Sequence, residues 1–299
     1  ARTMIPTLFS VSYAGLWGQH RLDLKSFLQK AADLGYPAVE LMGKRPHLSV
    51  VDTGPREVDE IRRAAGQSGV EIVTIAGYTN FTLGRDTEIP SVEIQVAYVR
   101  ALAQLAQQLG ARVVRIFTGY NTEPDSYRRD WDLCVAAVRQ CAQVAADHGV
   151  ILGVQNHHDV GVGVDSCLEF LADVDHPNCR AMFDPWAPAL HGDDLHQCAR
   201  QVAPKMVQTT LADYVRLARY AYQPGLVNYK RLDDMVRAVP LGEGFLDLEG
   251  FFAGLRAGGF DGYVAYEMCS PLRGGGSLEN LDRTARTSLE KIRQWTAGE

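Results

Sequence analysis

Short apolar runs alternate with amphipathic segments along most of the chain. In the segment 24–34, apolar residues recur at helical spacing, and Gly35 follows where a helix C-cap is expected. Gly69, Gly110 and Gly149 likewise stand just before an apolar run. The pattern predicts strands at 5–11, 38–42, 70–76, 113–117, within 152–159, and at 180–183, 206–211 and 262–268, and it predicts helices at 24–34, 55–68, 91–109, 127–148, 166–172, 194–202, 246–257 and 278–295.

The regular alternation of strand and helix predicts the fold class. Eight strand–helix units in 299 residues are typical of a single (β/α)8 TIM barrel over 1–299. An open, doubly wound sheet would carry a glycine-rich phosphate turn after its first strand, and residues 12–18 do not match G-x-G-x-x-G. The long connection 212–240 is rich in tyrosine and arginine, which predicts either a lid over the barrel mouth or a contact between subunits.

The composition is that of an ordinary folded protein, with 46% hydrophobic and 22% charged residues. A net charge of −6 opposes nonspecific nucleic-acid binding, which needs a basic surface. The six cysteines form no C-x-x-C pair, which predicts reduced thiols and a cytoplasmic location. No uncharged apolar run approaches the roughly 18 residues that span a membrane, and the first residues lack the apolar core of a signal peptide.

Candidate chemistry stands at the ends of three predicted strands. The stretch 152–159 reads Leu-Gly-Val-Gln-Asn-His-His-Asp, and two other short apolar strands end in Asp184 and Glu267. In a (β/α)8 barrel the C-terminal ends of the strands converge on one pocket. Oxygen and nitrogen donors without a thiolate suit a hard or borderline divalent ion. The sequence therefore predicts one site built from several strands.

Three segments connect the chain to a known family. Residues 32–41, 241–244 and 258–263 resemble the xylose isomerase-like TIM barrels, the sugar-phosphate isomerase/epimerase superfamily of AP endonuclease 2-type barrels. That superfamily includes ketose 3-epimerases, inosose dehydratases and the endonuclease IV fold. The resemblance implies one divalent ion held by Glu, Asp, His and Glu at the ends of strands five to eight. It also implies that the two glutamates act as acid and base on a hydroxyketone.

The implied ligand positions fall on Gln155, Asp184, Gln208 or Thr210, and Glu267, so two of the four depart from the family pattern. A glutamine oxygen can bind a metal but cannot accept a proton at neutral pH. The remaining chemistry is proton abstraction next to a carbonyl by one base, with the metal or an imidazole stabilising the enolate. Manganese is the first expectation for the ion, with magnesium, zinc or cobalt as alternatives.

The adjacent imidazoles His157 and His158 are candidates for a second acid or base. Successive residues of a strand point to opposite faces, so His157 shares a face with Gln155 and is the better candidate. Asp184 precedes a proline and could instead cap a turn, and Glu267 could instead pair with an arginine in the barrel.

These observations predict a metal-dependent isomerase or epimerase that abstracts a proton α to the carbonyl of a keto-sugar or related polyol. Glu267 and His157 are the predicted catalytic residues. The predicted metal ligands are Gln155, Asp184, Gln208 and Glu267, and the predicted substrate-binding residues are Lys44, His47, Tyr78, His158, Trp186 and Arg273.

Two other classes of function stay open. A lyase would expel a β-leaving group from the enolate, as in inosose dehydration or the cleavage of 3-keto glycosides, including C-glycosides. A non-catalytic sugar-binding barrel would retain only a decayed metal site. An endonuclease is opposed by the charge balance. The expected partner is a small carbohydrate, with neither nucleic acid nor membrane, and a homo-oligomer is left open.

Overall fold

Eight parallel strands close into a barrel in the computed structural model of the chain, which describes residues 3–298. The barrel strands are β1 Ile5–Phe9, β2 Ala38–Met42, β3 Glu71–Ala76, β4 Val113–Ile116, β5 Ile151–Gln155, β6 Cys179–Phe183, β7 Met206–Leu211 and, after the two strands of a separate hairpin, β10 Tyr263–Tyr266. Hydrogen-bonded neighbours follow the order β1-β10-β7-β6-β5-β4-β3-β2, with β2 pairing again with β1. This confirms the predicted single (β/α)8 barrel.

Helices surround the barrel, and their ends follow the local sequence signals. Asp23 accepts a hydrogen bond from the Ser26 backbone N–H at the start of α1. Gly35, Gly69 and Gly110 end their helices with positive φ angles of 93°, 75° and 76°. The helices are α1 Leu24–Leu34, α2 Pro55–Ser68, α3 Ser91–Leu109, α4 Tyr127–Asp147, α5 Val164–Val174, α6 Trp186–Leu190, α7 Leu195–Val202, α8 Leu248–Ala257 and α9 Leu278–Ala297.

Local boundaries differ from the sequence prediction at the first strand. The strand ends at Phe9, and Ser10–Tyr13 forms a 3-10 turn instead of the last residues of a strand over 5–11. The Ser10 hydroxyl accepts the Met42 backbone N–H at 2.9 Å, and this side chain replaces the strand partner there. Within residues 3–298, no helix is long and apolar enough to cross a bilayer.

The connection at 212–240, which carries the predicted lid or subunit contact, has regular secondary structure. It folds into an antiparallel hairpin of β8 Asp213–Gln223 and β9 Asn228–Val239. Alternating apolar and charged residues in this segment are a strand signal, and Pro224 and Gly225 lie in the turn. No hairpin residue lines the central pocket described below. The lid and the subunit contact both stay predictions.

The buried carboxylate of Asp213 joins the hairpin to the barrel. Its two oxygens accept backbone N–H groups of Gly242 and Gly244 at 2.9 Å, of Tyr214 at 2.9 Å and of Leu246 at 3.3 Å. A Cβ at position 244 would lie 2.0 Å from the Asp213 Oδ1 atom, so this approach requires glycine. One side chain therefore organises the loop between β9 and α8.

We predict that Asp213→Asn lowers the free energy of unfolding by about 2–3 kcal/mol, because an amide cannot accept all four N–H groups. Urea denaturation monitored by circular dichroism measures this change. Asp234→Asn, at an exposed ion pair with Arg231, is the matched control and should change stability by less than about 0.5 kcal/mol. Equal effects of the two substitutions would contradict the role given to Asp213.

Candidate active site

A cavity of about 730 Å³ opens at the C-terminal ends of the barrel strands. This volume is within the roughly 300–1,000 Å³ of typical small-molecule sites, and the location is where barrel enzymes carry their active sites. The floor is polar and the outer wall is apolar. The polar side chains of the floor are Lys44, Tyr78, Arg115, Gln155, His157, His158 and Glu267.

The centre of the floor is the guanidinium of Arg115, which projects from β4 and is only 2% exposed. Aromatic rings surround it, with its Cζ atom 4.2 Å from the ring centre of Phe117, 4.7 Å from that of Tyr78 and 5.3 Å from that of Phe9. Ring faces attract a cation, and this attraction is strongest where water is excluded. The strand β4 thus places a permanent positive charge in the pocket.

Arg115 uses only part of its donor capacity on the protein. Its Nη1 donates to Gln155 Oε1 at 3.2 Å, and its Nη2 donates to Gly77 O at 3.0 Å. Its buried Nε has no hydrogen-bond partner. A guanidinium has five N–H groups, so donors remain for an oxygen of a bound molecule. A Cβ at position 77 would lie 2.6 Å from Arg115 O, so glycine is required beside the arginine.

Gln155 links the guanidinium to Asp184. While its Oε1 faces Arg115, its Nε2 donates to Asp184 Oδ2 at 3.0 Å. The other carboxylate oxygen of Asp184 accepts the Trp186 backbone N–H at 2.9 Å. Asp184 therefore lies behind Gln155 and binds the backbone N–H of the first residue of α6. Its role as a metal ligand stays a prediction.

Three carboxyl groups lie in the field of Arg115, and burial raises the pKa of each. The pKa of Glu40 is raised to about 7, that of Asp184 to about 6 and that of Glu267 to about 8. For Glu267, the neighbouring charges of Asp184 and Glu40 raise the pKa further, whereas the guanidinium opposes the rise. Glu267 therefore exchanges its proton close to neutral pH.

His157 and His158 form a hydrogen-bonded pair on the pocket floor. Nε2 of His158 donates to Thr79 O at 2.9 Å, because a carbonyl oxygen can only accept. In the neutral pair, Nδ1 of His158 then accepts from His157 Nδ1 at 2.9 Å, which leaves His157 Nε2 as an acceptor. Burial in the pocket and the charge of Arg115 lower the pKa of both imidazoles, so the rings are neutral at pH 7.

Two other predicted substrate residues lie at the pocket. The ammonium of Lys44 lies 3.9 Å from the ring centre of Tyr78. Partial burial, and to a lesser extent the charge of Arg115, lower the pKa of Lys44. The hydroxyl of Tyr78 is buried without a hydrogen-bond partner. Both groups can therefore donate to a ligand oxygen.

The donor set does not fit the divalent ion that the family resemblance implies. Gln208 lies inside the barrel, where its Nε2 donates to Glu40 Oε2 at 2.8 Å and its Oε1 accepts from Thr74 at 2.6 Å. Thr210, the other candidate on β7, has a neutral hydroxyl. Among residues 3–298, no three or more His, Cys, Asp or Glu side chains come together as metal ligands do. The fixed cation near the carboxyl groups is instead Arg115.

Three of the predicted substrate-binding residues lie outside the pocket. Both nitrogens of the buried His47 are used, by Ser10 Oγ and by Leu22 O at 2.9 Å each. Trp186 packs on Tyr214, with ring centres 4.1 Å apart. The guanidinium of Arg273 is bound to Glu243 at 2.6 Å on the surface. These three side chains contact loop residues and do not line the pocket, and their binding of substrate stays an untested prediction.

Sequence reasoning also missed two charged residues of the site. Arg115 stands in the apolar run Val-Val-Arg-Ile-Phe, and Glu40 stands in Ala-Val-Glu-Leu-Met. A lone charge in a fully buried strand is costly unless it is paired, and this is the signal that could have identified both. Trp17 and Phe117 line the same pocket and have no comparable signal in the sequence.

Known proteins of similar sequence and structure include dehydratases and epimerases. The chain is 23% identical to 3-dehydroshikimate dehydratase of Bacillus anthracis over 241 residues, covering 77% of this chain and 81% of that protein. It is 23% identical to inosose dehydratase of Geobacillus thermodenitrificans over 235 residues, covering 71% and 74% of the two chains. The structure of D-psicose 3-epimerase with D-tagatose from Clostridium cellulolyticum H10 superposes with a TM-score of 0.76 at 16% identity, covering 98% of this chain and 99% of that one, and this likeness shows the fold.

The family assignment rests on more than single relatives. Residues 28–295 match the xylose isomerase-like TIM barrel family, which spans nearly the whole barrel from α1 to α9. The sequence resemblance, the closed parallel barrel and the location of the pocket all agree with that match. Relatives of this chain are dehydratases and epimerases. The chain therefore belongs to the xylose isomerase-like TIM barrel family.

Proposed function

We propose that the protein is a lyase that eliminates a β-oxygen substituent from a keto-sugar or related polyol. The observation that carries this proposal is that Glu267 and Arg115 line the same pocket. Among residues 3–298, Glu267 is the only carboxyl group that lines the pocket. Its pKa is raised to about 8. Arg115 supplies free N–H donors beside it.

The reaction begins with proton removal. The ionised carboxylate of Glu267 takes the proton from the carbon α to the carbonyl, and the C–H electrons form an enolate. The guanidinium of Arg115 donates hydrogen bonds to the enolate oxygen, where negative charge develops. The enolate then reforms the C=O bond and expels the β-oxygen, which takes a proton from the ammonium of Lys44. The products are an enone and water or an alcohol.

His157 orients the substrate in this scheme. Its Nε2 is an acceptor that opens on the pocket, so it can receive a hydrogen bond from a substrate hydroxyl. His157 is also the residue that the sequence predicts as the second acid or base. Its lowered pKa leaves it neutral at pH 7, which favours an accepting role over a proton-donating one.

Elimination is favoured over epimerisation by the state of Gln155. Epimerisation with two bases needs a second proton acceptor on the opposite face of the substrate, and the family places a glutamate there. Here the position holds a neutral amide that is bound on one side by Arg115 and on the other by Asp184. One base suffices for elimination. The names of two relatives, both dehydratases, support the same reaction class.

The reaction class can be tested with phenyl 3-keto-β-D-glucopyranoside in D2O. Elimination releases phenol and an enone that absorbs in the ultraviolet, whereas epimerisation returns an intact glycoside with deuterium at the α carbon. Scyllo-inosose and 3-dehydroshikimate, which carry no aryl group, extend the assay to other keto substrates. If none of these compounds exchanges deuterium or loses a substituent, the non-catalytic sugar-binding alternative is favoured.

We predict that Glu267→Gln lowers kcat/KM for enone formation by about 10²- to 10⁴-fold, because an amide cannot take the α proton. Loss of solvent deuterium exchange at the α carbon should accompany the loss of rate. Glu243→Gln, in the surface ion pair with Arg273, is the matched control and should keep the wild-type rate. Exchange that continues in Glu267→Gln would exclude Glu267 as the base.

We predict that kcat/KM rises with pH up to about 8 and falls again at higher pH, where the Lys44 ammonium loses its proton. The active base is the ionised form, and burial raises the pKa of Glu267 from the usual carboxyl range to about 8. Below that pH the carboxyl is mostly protonated, so the logarithm of kcat/KM should fall by one per pH unit. A profile that is flat from pH 5.5 to 8 would contradict this assignment.

We predict that removing divalent metals leaves the rate unchanged, whereas removing the Arg115 charge does not. Dialysis against EDTA, followed by metal analysis, should leave kcat/KM within about twofold. Arg115→Gln should lower it by about 10²- to 10³-fold, as the loss of an oxyanion donor does. Arg115→Lys should restore part of this loss, and circular dichroism checks that the variants fold. Restoration of an EDTA-treated enzyme by Mn²⁺ would favour the metal mechanism instead.

A further inference from the structure

The outer wall of the pocket consists of large apolar side chains that solvent reaches. Five of them are between 44% and 65% exposed. Contiguous apolar surface of this kind marks a binding surface, because covering it removes apolar area from water. We call this set the collar, and it consists of Leu16, Trp17, Leu83, Ile89, Ile94 and Tyr120.

One side of the collar is held in a strained backbone conformation. Trp17 has a positive φ of 50°, which a bulky side chain rarely adopts. The buried side chain of Gln19 fixes this loop. Its Nε2 donates to Val11 O at 3.1 Å and to Met268 O at 3.0 Å, and its Oε1 accepts the Leu16 N–H at 3.0 Å. The loop after β1 is therefore held in a conformation that exposes the indole of Trp17, which is not part of the hydrophobic core.

The part of the collar that lies in the loop between β3 and α3 is held by an ion pair. Arg85 lies in the loop that carries Leu83 and Ile89, and its guanidinium binds the fully buried carboxylate of Asp130 on α4. The hydroxyl of Ser126 also donates to Asp130, at 2.6 Å. The apolar residues of this loop are thus anchored before any ligand binds.

The collar runs directly into the polar floor. The ring of Tyr120 stacks on that of His158, with ring centres 4.0 Å apart and an angle of 24° between the planes. His158 in turn contacts His157 on the pocket floor. A single ligand can therefore reach the collar and the Arg115 guanidinium at once, and the two zones require it to be apolar at one end and polar at the other.

We infer that the substrate carries an aromatic or similarly flat apolar substituent that binds in the collar while its keto group reaches Arg115. This inference rests on the proposed function and deepens it, since it names the substrate class as aryl-substituted keto-sugars. A flat ring can stack on the indole of Trp17 or the phenol ring of Tyr120, and the aliphatic side chains of the collar can contact its edges. An unsubstituted keto-sugar would leave this apolar surface in water.

Calorimetric titration of the Glu267→Gln protein with phenyl and methyl 3-keto-β-D-glucopyranoside tests the inference, because this variant should not convert the probes and the two probes differ only in the apolar group. We expect the phenyl compound to bind at least tenfold more tightly. Adding the collar substitutions Leu83→Ser/Ile89→Ser should bring the ratio to within about threefold. Both residues are more than 60% exposed, so the barrel should still fold. The matched control adds Leu226→Ser/Val227→Ser at the exposed hairpin turn instead, and it should keep the ratio of the Glu267→Gln protein.

The outcomes separate this inference from the proposed lyase activity. A ratio near one in the Glu267→Gln protein would overturn the inference. So would the failure of both probes to bind, or a ratio that the added collar substitutions leave unchanged. A wild-type dimer that dissociates in the collar variant, measured by sedimentation, would also overturn it by showing that a second copy covers the collar. If the phenyl preference persists but the wild-type protein catalyses no elimination, the lyase proposal fails and the substrate class stands.

Discussion

The rest of the site is fitted around the buried guanidinium of Arg115. An arginine stays protonated inside a protein, so its charge must be met by neighbours once water is excluded. The amide of Gln155, the carbonyl of Gly77 and the ring faces of Phe9 and Phe117 meet it from different parts of the barrel wall. The closed barrel is therefore what makes this cation tolerable, and the cation in turn orients the groups that contact it.

Neutral residues stand where the family resemblance implies metal ligands, and the guanidinium is the fixed cation near the remaining carboxyl groups. A glutamate in place of Gln155, together with a histidine on β7, would hold a divalent ion with Asp184 and Glu267. The chain has neutral side chains at both positions and a fixed cation on β4 instead. These differences compensate one another electrostatically. The carboxyl groups that remain keep raised pKa values, because one cation only partly offsets burial and their mutual repulsion.

Much of the architecture could be predicted from the sequence. Helical spacing and glycine caps placed the helices close to their observed bounds, and the rhythm of strands and helices predicted the closed barrel. Glu267 and Gln155 were placed at the pocket because strand ends of a barrel converge. The hairpin at 212–240 was missed, although its alternation of apolar and charged residues is local. His47, Trp186 and Arg273 do not line the pocket, because their side chains contact loop residues instead.

The sequence by itself determined the elements, their order and hence the fold class, since periodicity and caps act within a few residues. The tertiary structure decided which side chains meet in the site. The decisive contacts join residues far apart in the chain: Arg115 to Gln155 across 40 positions, and Gln208 to Glu40 across 168. The amide of Gln155 lies at the pocket, whereas the amide of Gln208 contacts the buried carboxyl group of Glu40. This difference depends on the stagger between neighbouring strands, which no local sequence pattern reveals. The same contacts set the pKa of Glu267, because burial and neighbouring charges exist only in the folded barrel.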